Sequence, residues 1–400
     1  MPLETGLVSE ASDVGKRLTS ETGESALQLT GNILSNSSDS TTDKQTLTYA
    51  SSGVDISAGE EVVSGIKKLA RDTFTPDTLS DIGSFGAMFK ADFGGMKSPA
   101  LVSSADGVGT KLKLAFMTDK HDTVGEDLVN HCVNDILVQG ARPLFFLDYF
   151  ATGALAPEVA VSVMSGISRG CKNHGMAFIG GETAEMPDFY ASGEYDLAGF
   201  IVGVVDQGDI IDGSAIQAGD TLVGIASSGL HTNGFSLARK AVFEKAGHKV
   251  DERIDELGCT VAEALMATHT SYFEPIQKLF AEAGAGSVHG LAHITGGGIA
   301  GNLGRIIPDS LQAQIKDGSW PLAPVFNFVR QCGNISDEEM RKAFNLGIGF
   351  VVVVPSRDAE RISDILKRAG HESYTIGTIA PIAATAGAQV DDKKKRAIFI

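Results

Sequence analysis

From Tyr49 onward, hydrophobic positions recur first at helical and then at strand spacing, and the alternation predicts helices and strands in turn. In AGEEVVSGIKKLARDTF (58–74), Val62, Ile66 and Leu69 share one helical face. ALVSSADGV (100–108) predicts a strand. DTVGEDLVNHCVNDILVQGARP (122–143) predicts a helix that stops at Gly140, where Pro143 bars its continuation. The strongly apolar LFFLDYFATG (144–153) predicts a strand and 156–175 a helix. MAFIGGETAEMP (176–187) predicts a strand and loop, and YDLAGFIVGVVD (195–206) another strand. After the turn in 211–220 the mixture repeats. Strands are expected at 221–227, 291–295 and 347–355, and helices near 234–246, 260–284, 336–343 and 356–370. Such alternation predicts an α/β fold of α+β type. We divide it into two mixed domains, 46–214 and 215–400. Residues 1–45 are rich in Ser, Thr and acidic groups with a weak hydrophobic pattern, apart from a short helical stretch at 29–35. They read as a flexible N-terminal extension.

Composition narrows the function classes. The chain has 400 residues, 43% of them hydrophobic, which suits two soluble domains. A net charge of -17 argues against nucleic acid, whose phosphates need a basic face. No apolar run reaches the length of a membrane span. The first residues carry Glu4, Glu10 and Asp13 and lack an apolar signal core, so the cytoplasm is expected. Cys132, Cys171, Cys259 and Cys332 form no Cys-x-x-Cys pair.

The 47 glycines cluster, and several clusters sit beside chemically capable groups. The Walker pattern is absent. GGGIAG (296–301) fits G-x-G-x-x-G, but a match inside a glycine run carries no dinucleotide site. SSADGVGTKLKLA (103–115) is sharper. Asp106 follows a strand, where a carboxylate can hold Mg²⁺. Gly107 and Gly109 let backbone amides approach phosphate oxygens, and Lys111 adds positive charge. Asp127, His131 and Asp135 form a polar stripe on an otherwise apolar helix, where a carboxylate needs a reason such as a cation. A solvated helix face is the plain alternative. Glu182 follows Gly180 and Gly181 and can approach a ligand closely. Oxygen ligands of this kind suit Mg²⁺. SSGLHTNGFSLARK (227–240) and HITGGGIAGNLGR (293–305) are glycine-flanked loops. His231 in the first is either an acid–base group or a turn histidine.

With these residues in place, the chain resembles the phosphoribosylformylglycinamidine cyclo-ligase family. The resemblance runs from YASSGVDISAG (49–59) to the C-terminus and rests above all on KHDTVG, GGETAEMP and SSGLHTNGFSL. DGVGTK, the Asp135 helix and GGET alone would indicate only the wider superfamily, so another ATP-using kinase or synthetase on this fold is the alternative. A nucleotide-binding regulator is the non-enzyme reading, which the acidic residues and Lys111 oppose. The resemblance implies ATP-dependent ring closure of formylglycinamidine ribonucleotide in purine biosynthesis, giving aminoimidazole ribonucleotide, ADP and phosphate. It further implies a homodimer whose N-terminal sheets pair into a barrel, with ATP at the interface, and a C-terminal sheet covered by helices. Asp106, Asp135 and Glu182 are expected to hold Mg²⁺, and a monovalent cation is left open. Lys67, Gly83, Gly86, Gly107, Gly109, Thr110, Lys111 and Asn134 are expected at ATP. Ser228, Gly229, His231, Asn233, Thr295, Gly296 and Gly297 are expected at the ribonucleotide. Asp106, Lys111 and His231 are the expected catalytic groups. Two departures stand out: Ala105 where the family often has Thr, and His131 where it commonly has an apolar residue. His131 is therefore left out of the expected site.

Overall fold

The computed structural model, which describes residues 48, 50–382 and 396–400, builds two sheets from the alternating pattern. The expected extension 1–45, including the stretch at 29–35, lies outside the described residues. Helix α1 (Ile56–Arg71) starts where Asp55 accepts the N–H groups of Ser57 and Ala58, and it turns Val62, Ile66 and Ala70 inward. Then follow β1 (Pro99–Gly107), α2 (Leu112–Thr118), α3 (Asp122–Leu137), β2 (Arg142–Thr152), α4 (Pro157–Asn173), β3 (Ala177–Glu185) and β4 (Tyr195–Asp206). The four strands stand in the order β1-β4-β2-β3, with β2 and β3 parallel and the other neighbours antiparallel.

Helices α3 and α4 press together through glycine. A Cβ on Gly125 would stand 2.1 Å from the Val163 carbonyl oxygen, and one on Gly166 would stand 1.9 Å from that of Asp122. They cover one face of the sheet through Leu128, Cys132 and Ile136. The other face stays apolar and open. Leu101 is 64% exposed and Phe200 45%, and Phe145, Leu147 and Tyr149 beside them are half-buried.

The second half holds β5 (Thr221–Ala226), α5 (Phe235–Arg239), a short ladder of β6 (Arg253–Ile254) and β7 (Cys259–Thr260), α6 (Val261–Leu265) and α7 (Phe273–Ala283). It continues with β8 (Gly290–His293), α8 (Gly298–Leu303), β9 (Leu311–Ile315), α9 (Pro324–Gly333) and α10 (Asp337–Ala343). It ends with β10 (Ile348–Val354), α11 (Ala359–Arg368), β11 (Ser373–Pro381) and β12 (Ala397–Phe399). The sheet order is β12-β9-β11-β5-β10-β8. Every residue of β10 is buried.

The helix expected over 260–284 is broken. It splits into α6 and α7, and residues 266–272 between them dip toward α3. The run Thr268-His269-Thr270-Ser271 supplies no apolar face, and its backbone groups are taken by side chains of α3 instead of by a helix. The segment after Asp106 winds into a 3₁₀ turn and then α2. Helices α8 and α9 and strands β9, β11 and β12 were not anticipated.

Candidate functional site

Helix α3 runs along the seam between the two sheets, and its polar stripe explains itself there. Asp127 accepts the His269 N–H at 2.7 Å, and Asn130 donates to the His269 carbonyl at 2.8 Å. Asn134 accepts from the Tyr272 N–H and donates to the Thr270 carbonyl, both at 2.9 Å. These side chains thus replace the hydrogen bonds that a continuous helix would have made. The cation that Asp127 needed is Lys111. Its Nζ lies 2.7 Å from Asp127 and 2.9 Å from the Ala267 carbonyl oxygen, with both charged side chains 0% exposed. This corrects two expectations. Lys111 neutralises a buried carboxylate instead of facing phosphate, and the Asn134 amide is occupied by the 270–272 backbone instead of reaching ATP.

One turn further along α3, the seam collects charge and imidazole. Asp106, at the end of β1, lies 2.8 Å from Nε2 of His131. Asp135 lies 2.8 Å from Nδ1 of His293, 3.7 Å from Nε2 of His131 and 3.0 Å from the Ser104 hydroxyl. Burial would raise both carboxyls, but the neighbouring imidazoles outweigh it and hold them below the ordinary aspartate value. Burial alone would likewise lower His131. The Asp106 hydrogen bond and the Asp135 and Asp106 charges reverse this and raise it. His131, excluded on sequence grounds, is therefore central. His293 and His269 were also missed. The signals were a histidine closing a wholly buried strand and a polar run interrupting a helical period.

The cluster opens on a cavity of about 260 Å³ lined by Ser104, Asp135, His293, Thr295, Asn302 and Arg305. The two glycine-flanked loops of the second half meet here. A Cβ on Gly296 would stand 3.4 Å from Asn233 Oδ1. Gly297 caps α8 with φ 98°, a conformation that suits glycine. Gly107 and Gly109 border the exposed turn above Asp106, and Thr110 meets the Ser236 hydroxyl at 3.0 Å. Ser228 donates to the Thr268 carbonyl at 2.5 Å, beside Gly229. His231 is only 1% exposed, and its Nε2 accepts weakly from the Ser228 and Thr270 N–H groups at 3.4 Å. Burial, then the charges of His293 and Lys111, push it well below 6.5, so it stays neutral. In this structure it braces the loop, and its Nδ1 has no hydrogen-bond partner among the described residues.

Glu182 is elsewhere. Asp106, Gly199, Asp148 and Gly181 lie in one row across the sheet. Three strand spacings, about 14 Å, therefore separate Asp106 from the strand carrying Glu182. One chain cannot place Asp106, Asp135 and Glu182 around a single ion. Instead Glu182 lines an open cavity of about 710 Å³ with Lys67, Asp55, Glu60 and Glu185. The Gly83 loop reaches the same lysine, since a Cβ there would lie 3.7 Å from Lys67 Nζ, and Gly86 faces open space. Between the two cavities sits Asp148, fully buried. Burial, with the Glu182 charge adding to it, pushes its carboxyl up to about 8.

Two family models match the chain: AIR synthase related protein, N-terminal domain, over residues 91–205, and AIR synthase related protein, C-terminal domain, over 217–383. The phosphoribosylformylglycinamidine cyclo-ligase of Syntrophotalea carbinolica is 53% identical over 341 residues, covering 85% of this chain and 97% of that protein. The enzyme of the same name from Sorangium cellulosum is 50% identical over 336 residues, covering 84% and 96%. Among solved structures, thiamine-monophosphate kinase from Stenotrophomonas maltophilia K279a aligns with TM-score 0.60 at 16% identity, over 80% of this chain and 93% of that one. Hydrogenase maturation protein HypE in complex with ATP aligns with TM-score 0.57 at 17% identity, over 81% and 87%. At such low identity these two show the fold. No helix among the described residues is long and apolar enough to cross a membrane.

Proposed function

The chain belongs to the phosphoribosylformylglycinamidine cyclo-ligase family, and we propose that its ATP-dependent ring closure is carried out along the seam around Asp106 and Asp135. The enzyme converts formylglycinamidine ribonucleotide to aminoimidazole ribonucleotide with consumption of ATP. In our reading the formamide oxygen attacks the γ-phosphorus, which turns a poor leaving group into phosphate. The amidine-side nitrogen then attacks the activated carbon, and phosphate departs with the former formamide oxygen. No protein nucleophile is required, so the residues work by positioning and by stabilising charge.

The observation that carries this assignment is the pair of ionised, half-enclosed carboxylates, Asp106 and Asp135, beside the cavity of Thr295, Asn302 and Arg305. Their donor chemistry fits a divalent cation, which when bound would offset charge on the transferring phosphoryl group. Gly107, Gly109 and Thr110 would offer amides and a hydroxyl to phosphates. Ser228, Gly229, Asn233, Thr295, Gly296 and Gly297 would face the ribonucleotide, with Arg305 available to its phosphate. Lys67, Gly83, Gly86 and Glu182 would hold the nucleotide at the open rim.

The separation of Glu182 from Asp106 supports a homodimer, since a second copy can supply what one chain holds apart. The open face of Leu101 and Phe200 is apolar enough to be its contact. We keep the domain boundary near residue 215 and the cytoplasm as the compartment. The test is ADP release by the full chain offered ATP with formylglycinamidine ribonucleotide or with thiamine monophosphate. Release with the former alone is expected, lost in Asp106→Asn. Unchanged turnover in that variant would remove Asp106 from the site.

A further inference from the structure

Resting on the reading of Asp106 and Asp135 as cation ligands, we propose that Nε2 of His131 and Nδ1 of His293 complete the same site. It would then bind an imidazole-accepting first-row ion in preference to Mg²⁺.

The ligand atoms are already gathered. His131, Asp135 and His293 each offer one atom, all within 4.8 Å of one another, and Asp106 adds an oxygen 2.8 Å from His131 Nε2. Ligands at about 2.0–2.2 Å from a cation stand roughly 3–3.5 Å apart, so small adjustments suffice. All four come from rigid places: β1, two adjacent turns of α3, and the end of β8.

The surrounding hydrogen bonds fix how one imidazole is protonated. The Asn134 amide is oriented by accepting the Tyr272 N–H, so its Nδ2 must donate to Nε2 of His269 at 3.2 Å. That nitrogen is therefore an acceptor. Nε2 of His293, 3.1 Å from it, is left to be the donor. Nδ1 of His293, the nitrogen that would bind the ion, meets Asp135 at 2.8 Å and so already lies against a carboxylate of the site. His131 has the same support on its far side, where Nδ1 meets the Thr232 hydroxyl at 2.7 Å. Metal-bound histidines are characteristically held this way, by a polar partner on the nitrogen that does not bind the ion.

Charge points the same way. Asp106 and Asp135 both carry negative charge, and the buried Lys111 is committed to Asp127. A divalent cation would take over the offset that the His131 imidazole supplies in its absence. Mg²⁺ takes oxygen ligands almost exclusively, whereas nitrogen ligands favour first-row transition ions.

The test is Mn²⁺ added to the metal-free full-length chain, read by pulsed electron paramagnetic resonance for ¹⁴N coupling and by equilibrium dialysis against Mg²⁺. Imidazole ¹⁴N coupling on the bound ion is expected, with Mn²⁺ held at least tenfold more tightly than Mg²⁺. His131→Met should weaken Mn²⁺ by about tenfold or more and leave Mg²⁺ nearly unchanged. If that variant fails to fold, the wild-type spectrum decides. Mn²⁺ that is bound, lost in Asp135→Asn, yet free of nitrogen coupling would overturn the inference and leave the carboxylate reading standing. Binding that is absent, or indifferent to Asp135→Asn, would overturn both.

Discussion

The seam and the rim of this molecule hold similar residue types in opposite physical states. At the seam, Asp127, Lys111 and three histidines are buried between two sheets, with Asp135 and the half-exposed Asp106 at their edge, and most polar atoms have a partner. At the rim, Lys67 and Glu182 line an open cavity and keep much of their water. The same carboxylate or ammonium group therefore has different work in the two places. At the seam its removal leaves a buried partner uncompensated, so fold and chemistry are coupled. At the rim it can be removed with little cost to the fold, and only binding should suffer.

Lys111→Met should break this contrast most visibly. It strands Asp127 in the core, and removing one partner of a buried pair costs about 3–5 kcal/mol. Denaturant midpoints would show it, and Lys111→Met combined with Asp127→Asn should recover part of the loss. Recovery would establish that Lys111 is a structural cation. Asp135→Asn comes next. A lost charge-stabilising group typically costs about 100- to 1,000-fold in rate, and steady-state ADP release reads it. Glu182→Gln should raise KM for ATP about tenfold, roughly 1.4 kcal/mol, with the melting temperature nearly unchanged. A comparable loss of fold stability in that variant would erase the distinction between rim and seam.

Asp148 sharpens the comparison with a smaller effect, since it lies between the two regions. Its folded carboxyl sits at about 8, far above the value of an unfolded aspartate. The folded state thus holds a proton that the unfolded state has released. The contribution of this one group to stability is full below about pH 4 and is lost as pH rises toward and through 8. Thermal melting of the wild type should decline over pH 5–8 more steeply than that of Asp148→Asn.

Rim and seam were read with different success, for a physical reason. Rim residues announce themselves locally, as glycine next to a carboxylate or lysine on a helical face; Gly83 does reach Lys67, but Glu182 joins them and not Asp106 and Asp135, with which it was expected. Seam contacts join residues more than 100 positions apart: His131 to Thr232, Asp135 to His293, Lys111 to Ala267. Nothing local tells a buried ion pair from a phosphate-binding lysine, which is why Lys111 and Asn134 were misread. His269 escaped because its loop borrows hydrogen bonds from α3 and interrupts an otherwise helical stretch. The long elements were legible. Helix α3 and strands β1 to β4 follow strong periodicity, whereas β9, β11 and β12 are recognisable mainly through the neighbours they pair with.

The account stands most directly on where the formamide oxygen goes. Formylglycinamidine ribonucleotide labelled with ¹⁸O at the formyl group, turned over with ATP, should deliver its label to the released inorganic phosphate, one atom per molecule. Phosphate that emerges unlabelled, with the ¹⁸O in water, would contradict phosphoryl transfer to that oxygen and with it the role given to the Asp106–Asp135 seam.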